Sequence, residues 1–217
     1  MQTLTALAPT TPAPMKLLAA LLLLSAAAPA IAQSADDVAE PALRAELVDR
    51  LATDQEVRQR VIDSGYPAVV NTALVAQVAA VDAENTAWIV GVVDRYGWPT
   101  RALVGAEGVN AAFLLVQHAD ASPDVQARML PFIERAYRAG DIPGQGYAML
   151  LDRVLVGRGE PQVYGTQAAF GADGEIALSP TADEGALDAR RAEVGLPPAA
   201  EYLDMLRQVY QAAPSGE

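Results

Sequence analysis

The stretch that most constrains this fold is Asn110-Ala-Ala-Phe-Leu-Leu-Val-Gln-His-Ala-Asp120. From Ala111 to Val116 it has no polar side chain, so as a helix it offers water no face and must be surrounded. It then ends abruptly in Gln117, His118 and Asp120, and His118 is the only histidine of the chain. Polar groups at the end of a buried helix need partners, because an unpaired buried donor or acceptor is costly.

The length of 217 residues allows one domain or two small ones, and an apolar share of 52% supplies a real core. The net charge of -12 excludes nucleic acid and anionic membrane as expected partners, since both reward Lys and Arg. There is no cysteine, which removes disulfides, thiolate nucleophiles and thiolate metal sites.

Residues 15–32 read as a signal peptide. Met15-Lys16 is a short positive start, Leu17 to Ala28 is an apolar run too short to span a bilayer, and Pro29-Ala-Ile-Ala32 supplies a small-residue cleavage end. Residues 1–14 form an uncharged upstream extension, and Met15 is the expected true start. The mature chain, 33–217, is then a single exported domain, periplasmic or secreted, with no membrane contact after cleavage.

Along the mature chain the signals are mostly helical. Glu46 to Leu51 is helical in pattern, and Thr53-Asp-Gln-Glu56 reads as a capping box that starts a short new helix ending at Gly65. Asn71 to Tyr96 is the longest periodic stretch and ends at Gly97. Ser122-Pro-Asp124 is a helix start with Ser122 as cap, and Pro131 is expected to kink or restart that helix. Gly144 to Val156 is helical with Asp152-Arg153 inside a greasy run. Gln162 to Phe170 and Glu175 to Leu178 flank Asp173-Gly174, a hairpin turn signal. Helices follow at Ala186 to Val194 and Ala199 to Tyr210. The expected fold is mainly α, a single compact domain of about six or seven helices with one small β-hairpin in its C-terminal third.

Several residue types in this pattern can carry chemistry. His118 at a helix end can act as acid or base, with Asp120 or Asp82 orienting it. Asp82 and Asn85 neighbour each other one turn along a helix. Gln117, Asp152 and Arg153 are polar groups within apolar runs. If Gln162 to Phe170 is a strand, Gln162, Tyr164 and Thr166 share one face, with Gln167 beside them, and Arg190 or Arg191 can grip an anion. No nucleotide-binding loop and no nucleophile elbow is present. A zinc site wants more histidine than this chain has; His118, Asp120 and Asp82 could hold only a harder ion, and no metal or other cofactor is expected.

Ordered motifs tie these residues together. Asp82-x-x-Asn85, Gly97-Trp-Pro-Thr100 with Leu103-Val-Gly105, Val116-Gln-His-Ala-Asp120 with Gln126, Leu151-Asp-Arg-Val-Leu-Val156, Pro161-Gln-x-Tyr-Gly-Thr-Gln167, Asp188-x-Arg-Arg191 and Gly195-Leu-x-Pro198 with Glu201-Tyr202 follow one another from about Val70 onward. In these the chain resembles an uncharacterised bacterial domain family of unknown function. The resemblance implies that these polar residues form one signature; it supplies no reaction.

The functional reading is an exported protein with a polar cleft around His118. Three accounts stand side by side. The cleft is a hydrolytic site for a polar small molecule, with His118, Asp120 and Asp82 catalytic. Or it is a binding site for a small molecule or a protein, without chemistry. Or the cluster is an internal network that fixes the fold, with function elsewhere on the surface.

Overall fold

The computed structural model describes residues 38–65, 70–170 and 175–211. The expected extension at 1–14, the signal peptide at 15–32 and the Asp173-Gly174 turn lie outside the described residues. Among the described residues there are seven α-helices: α1 (Pro41–Asp63), α2 (Thr72–Tyr96), α3 (Arg101–Gln117), α4 (Pro123–Arg138), α5 (Gly144–Gly157), α6 (Leu187–Glu193) and α7 (Ala199–Gln211). Strands β1 (Ala168–Phe170) and β2 (Ile176–Leu178) form an antiparallel pair, with Ala169 opposite Ala177. The fold is mainly α with one hairpin, as the sequence pattern predicts.

The apolar stretch ending at His118 sits at the centre. Val109, Ala111, Ala112, Phe113, Leu115 and Val116 are at most 1% exposed, so water reaches none of these faces of α3. Helix α1 lies along α3, α2 packs on both, and α4 bridges α3 to α5. Leu43 and Leu47 of α1, Ile89, Val92 and Val93 of α2, and Met129 and Ile133 of α4 complete this core. A second, smaller core joins the hairpin to α7 through Ala168, Ile176, Tyr202 and Leu206.

Local signals explain several helix ends. The Asn71 side chain accepts the Leu74 amide at the start of α2, and Thr100 does the same for Leu103 at the start of α3. Gly97 closes α2 at a φ of 74°. Helix α3 is broken after its first turn by Gly105, whose φ is 71° and ψ 174°. Beside that break the carbonyls of Ala102 and Leu103 accept from Ala39 and Glu40, which pins the strand of chain leading into α1.

The structure corrects four local expectations. The Thr53 capping box does not start a helix: α1 runs unbroken from Pro41 to Asp63, and the Thr53 hydroxyl donates back to the Asp49 carbonyl. The α1 face carrying Leu43, Leu47, Asp54, Arg58 and Val61 is buried along its length, and that burial overrides a capping preference of about 1 kcal/mol. Ser122 occupies the cap of α4 without a side-chain hydrogen bond, and Pro131 on the exposed side leaves α4 a single helix. Residues 162–167 are not a strand. The ladder holds only three residues on each side, and the preceding segment wraps around Asp152.

Candidate functional site

Helix periodicity brings the site together. Asp54 and Arg58 are four apart on α1, and Asp82 and Asn85 are three apart on α2, so each pair shares a helix face. The end of α3 delivers Gln117 and His118 against them.

Asp54 is the hub. Its carboxylate oxygens lie 3.0 and 2.9 Å from Nδ1 of His118. Arg58 donates to it through Nε at 3.2 Å and Nη2 at 3.0 Å, and the Gln55 amide donates at 2.8 Å. Arg58 also donates to Asp82, so one guanidinium joins two carboxylates. The Asp54 side chain is 1% exposed, Arg58 6%, His118 7% and Asp82 16%. The imidazole is thus gripped on one nitrogen, while Nε2 has no hydrogen-bond partner among the described residues.

Contacts from α4 and α5 fix the end of α3. Arg153 of α5 donates through Nη1 to the Gln117 carbonyl at 2.6 Å and to the Asp120 carboxylate at 2.5 Å. The Gln126 amide of α4 donates to the same two acceptors at 3.0 and 3.3 Å. These contacts satisfy the last α3 carbonyls, which no helical N–H can reach. Asn85 is buried and accepts from Arg50 at 3.2 Å. The Gln117 side chain is fully buried, and neither its oxygen nor its nitrogen has a partner.

Burial and pairing push the titratable groups apart. Burial works against charge on Asp54, but the hydrogen bonds and charges of His118 and Arg58 outweigh it and hold its pKa at about 2. Burial raises Asp82 to about 7; Arg58 offsets part of this, and the neighbouring carboxylates of Asp54 and Asp120 reinforce it. Burial lowers the His118 pKa, with Arg58 and Arg153 adding to the effect and Asp54 opposing it. At neutral pH the imidazole is therefore uncharged, with its Nδ1–H donating to the Asp54 carboxylate and the Nε2 lone pair free.

Asp54, Asp82 and His118 each also present one ligand atom within 4.8 Å of the others, a spacing an ion could bridge. The chemistry of the set argues against one, because Arg58 binds both carboxylates and already supplies their compensating positive charge.

The remaining sequence candidates meet elsewhere. Asp152 accepts the amides of Val163 at 2.7 Å, Tyr164 at 3.0 Å and Thr166 at 2.9 Å, together with the Thr166 hydroxyl at 2.9 Å. Gln162 donates to the carbonyls of Gln167 and Ser179 and accepts the Gln167 amide. Arg190 donates to Val163, Ala182 and Asp183 carbonyls. Arg191, with no exposure, donates to Pro197, Tyr164 and Gly165 carbonyls and lies under the Tyr202 ring. The Tyr164 ring meets Tyr147 edge-on at 6.4 Å. These groups spend their hydrogen bonds on the backbone of the loop 162–167 and its neighbours, and among the described residues no hydrogen bond or ion pair joins them to His118. Only Arg153, next to Asp152 on α5, reaches the histidine cluster.

The sequence reasoning missed Asp54 and Arg58 as site residues. A signal was there: from Leu43 and Leu47, helical steps land on Asp54 and Arg58 before Val61 resumes the stripe. Two charges on a core-facing register are a mark of a buried ionic cluster.

A family model described as a family of unknown function (DUF6624) matches residues 41–213. No curated protein and no solved structure matches the chain.

Proposed function

The chain belongs to that family of unknown function, and we propose that it is an exported hydrolase acting on a polar small molecule, with His118 as its proton-transfer group. The observation that carries this reading is the Asp54–His118 pair: a buried carboxylate on Nδ1 and an unpartnered Nε2 on a ring that burial keeps neutral. A general base needs this combination, a fixed tautomer and a lone pair available at working pH.

In the proposed step Nε2 takes a proton from water while the water oxygen bonds to the electrophilic carbon or phosphorus of the substrate. The imidazolium that forms is stabilised by Asp54. The bond to the leaving group then breaks, and Nε2 returns its proton to that group, which restores the neutral ring. Arg58 acts through Asp54 and is a positioning residue. Arg153 and Gln126 hold the end of α3, and hence the ring, in place. The export part of the proposal rests on the leader pattern at 15–32; no helix of the described residues is long and apolar enough to cross a membrane.

The test is turnover of the purified chain on a panel of chromogenic esters, amides and phosphate esters. The expected result is activity on at least one class that falls about 100-fold or more in His118→Gln with the fold retained. An active His118→Gln variant overturns the proposal. The alternative of a purely structural cluster is favoured by the depth of Asp54 and Arg58. It predicts no turnover in any variant and a clear loss of stability when His118 is replaced.

A further inference from the structure

One guanidinium, that of Arg58, serves two carboxyl groups, and the two are not served alike. Asp54 accepts from Nδ1 of His118, from Nε and Nη2 of Arg58 and from the Gln55 amide. Among the described residues the Asp82 carboxyl accepts from Arg58 alone. It also lies in hydrogen-bond contact with Asp54. Two carboxyl groups in such contact need a proton between them, because an ionised carboxylate can only accept. The donors around Asp54 hold it as the anion, so the proton belongs to Asp82.

Position makes that proton exchangeable. The Asp54 side chain is 1% exposed and His118 7%, against 16% for Asp82, so Asp82 is where the cluster meets water. One oxygen of each carboxyl group and one ring nitrogen of His118 lie within 4.8 Å of one another, close enough for a charge on one to act on the others. With Asp82 ionised, two negative charges face the single positive charge of Arg58; with Asp82 protonated, one faces one.

Resting on the hydrolytic reading of this site, we infer that Asp82 is a positioning residue that sets the strength of the His118 base by gaining or losing one proton. Protonated, Asp82 donates to Asp54, draws on the electron density that Asp54 offers to Nδ1–H, and leaves Nε2 the weaker base. When that proton passes to water, Asp82 competes with Asp54 for Arg58 and adds a negative charge beside the ring. Both changes favour the imidazolium and strengthen Nε2, by about tenfold in proton affinity.

The neighbours of Asp82 give the pH dependence its sign. Asp82 faces Asp54 and Arg58 of α1, and His118 and Asp120 at the end of α3; Glu84 and Asn85 of its own helix turn to Arg50 of α1, and Arg153 of α5 reaches the set through Asp120. Burial, with Asp54 and Asp120, keeps the proton on Asp82 up to about pH 7 against the pull of Arg58. The buried ring takes its own proton only below 6.5. As pH falls, the cluster is therefore protonated first at Asp82 and only later at the imidazole. As pH rises through about 7, the base is already free and becomes stronger.

Nitrogen NMR of the lone imidazole tests this without any substrate. Wild type should show two steps, a small one near pH 7 with the ring still neutral and a large one below 6.5. Asp82→Asn should remove the small step and keep the large one. Asp94→Asn, at an exposed carboxylate of α2 paired with Arg128, should keep both. A single step in wild type overturns the inference whether or not Asp82→Asn folds. A small step that survives in folded Asp82→Asn also overturns it, because the step then belongs to another group. On any substrate that the chain turns over, kcat/KM should rise about threefold or more between about pH 6.5 and pH 8, and Asp82→Asn should flatten that rise. An equal rise in Asp82→Asn contradicts the inference. Turnover that depends on His118 in a chain lacking the small step overturns this inference alone. The small step in a chain that turns over no substrate overturns the hydrolytic reading and leaves the coupling of Asp82 to the ring.

Discussion

Asp54 of α1 receives Nδ1 of His118 at 2.9 Å across 64 positions of sequence, and in doing so joins the first helix to the end of the central one. The same carboxylate is held by Arg58, so a single buried anion fixes both the imidazole tautomer and an ion pair.

That dependence predicts a large effect from a small change. Asp54→Asn keeps the volume but removes the charge that Arg58 and His118 both use. Breaking one partner out of a buried pair costs about 3–5 kcal/mol, because the other charge stays buried without compensation. Urea unfolding should show this loss. A loss under about 1 kcal/mol would mean that Asp54 is not the hub.

Acid should unfold the protein in a way assignable to individual groups. Asp54 is ionised above 3.8 when unfolded and down to about 2 when folded. Its contribution, about 2 kcal/mol, is present above pH 3.8 and is lost as pH falls through about 2. His118 acts in the same direction at higher pH, since the unfolded ring takes up a proton below about 6.5 and the buried ring resists it.

Asp82 has the opposite sign. Its folded pKa of about 7 lies above the unfolded 3.8, so the folded state binds the extra proton between those values. Its stabilising contribution is full below 3.8 and is lost as pH rises through about 7. The stability of wild type relative to Asp82→Asn should therefore fall between about pH 4 and pH 8, as read from urea midpoints at each pH. A difference that stays constant or grows would contradict the raised pKa.

Arg191 tests the C-terminal network separately. Its guanidinium serves three backbone carbonyls on two segments from a fully buried position. Lysine keeps the charge but lacks the planar fork, so Arg191→Lys should cost about 2–4 kcal/mol. Because no hydrogen bond or ion pair among the described residues joins this network to His118, the imidazole titration should be unchanged. A shifted midpoint would show coupling between the two clusters.

The fold was largely legible because its strongest signals are local and periodic. Asn71, Gly97 and Gly144 mark real helix boundaries, and the uncharged run before His118 could only be central. What sequence reading got wrong came from tertiary override. Thr53 has good capping chemistry in a helix that burial carries straight past it.

The site was half legible. Polar residues in apolar runs mark where a group must be paired, but not with what. Asp152 and Arg153 are adjacent, yet α5 turns one toward the 162–167 loop and the other toward the end of α3. His118 was conspicuous as a lone imidazole, whereas its partner Asp54 lay hidden inside an apparent capping box. Pairings across 64 residues leave no local trace, and only the helical register of α1 hinted at this one.

The central claim is that His118 is a neutral base whose Nδ1–H donates to the Asp54 carboxylate. Because the chain has one histidine, nitrogen NMR of the imidazole needs no assignment between residues. A titration should show a midpoint below 6.5, with Nδ1 protonated and Nε2 bare at neutral pH, and Asp54→Asn should disturb that tautomer preference. A midpoint above 6.5, or a proton resting on Nε2, would contradict it.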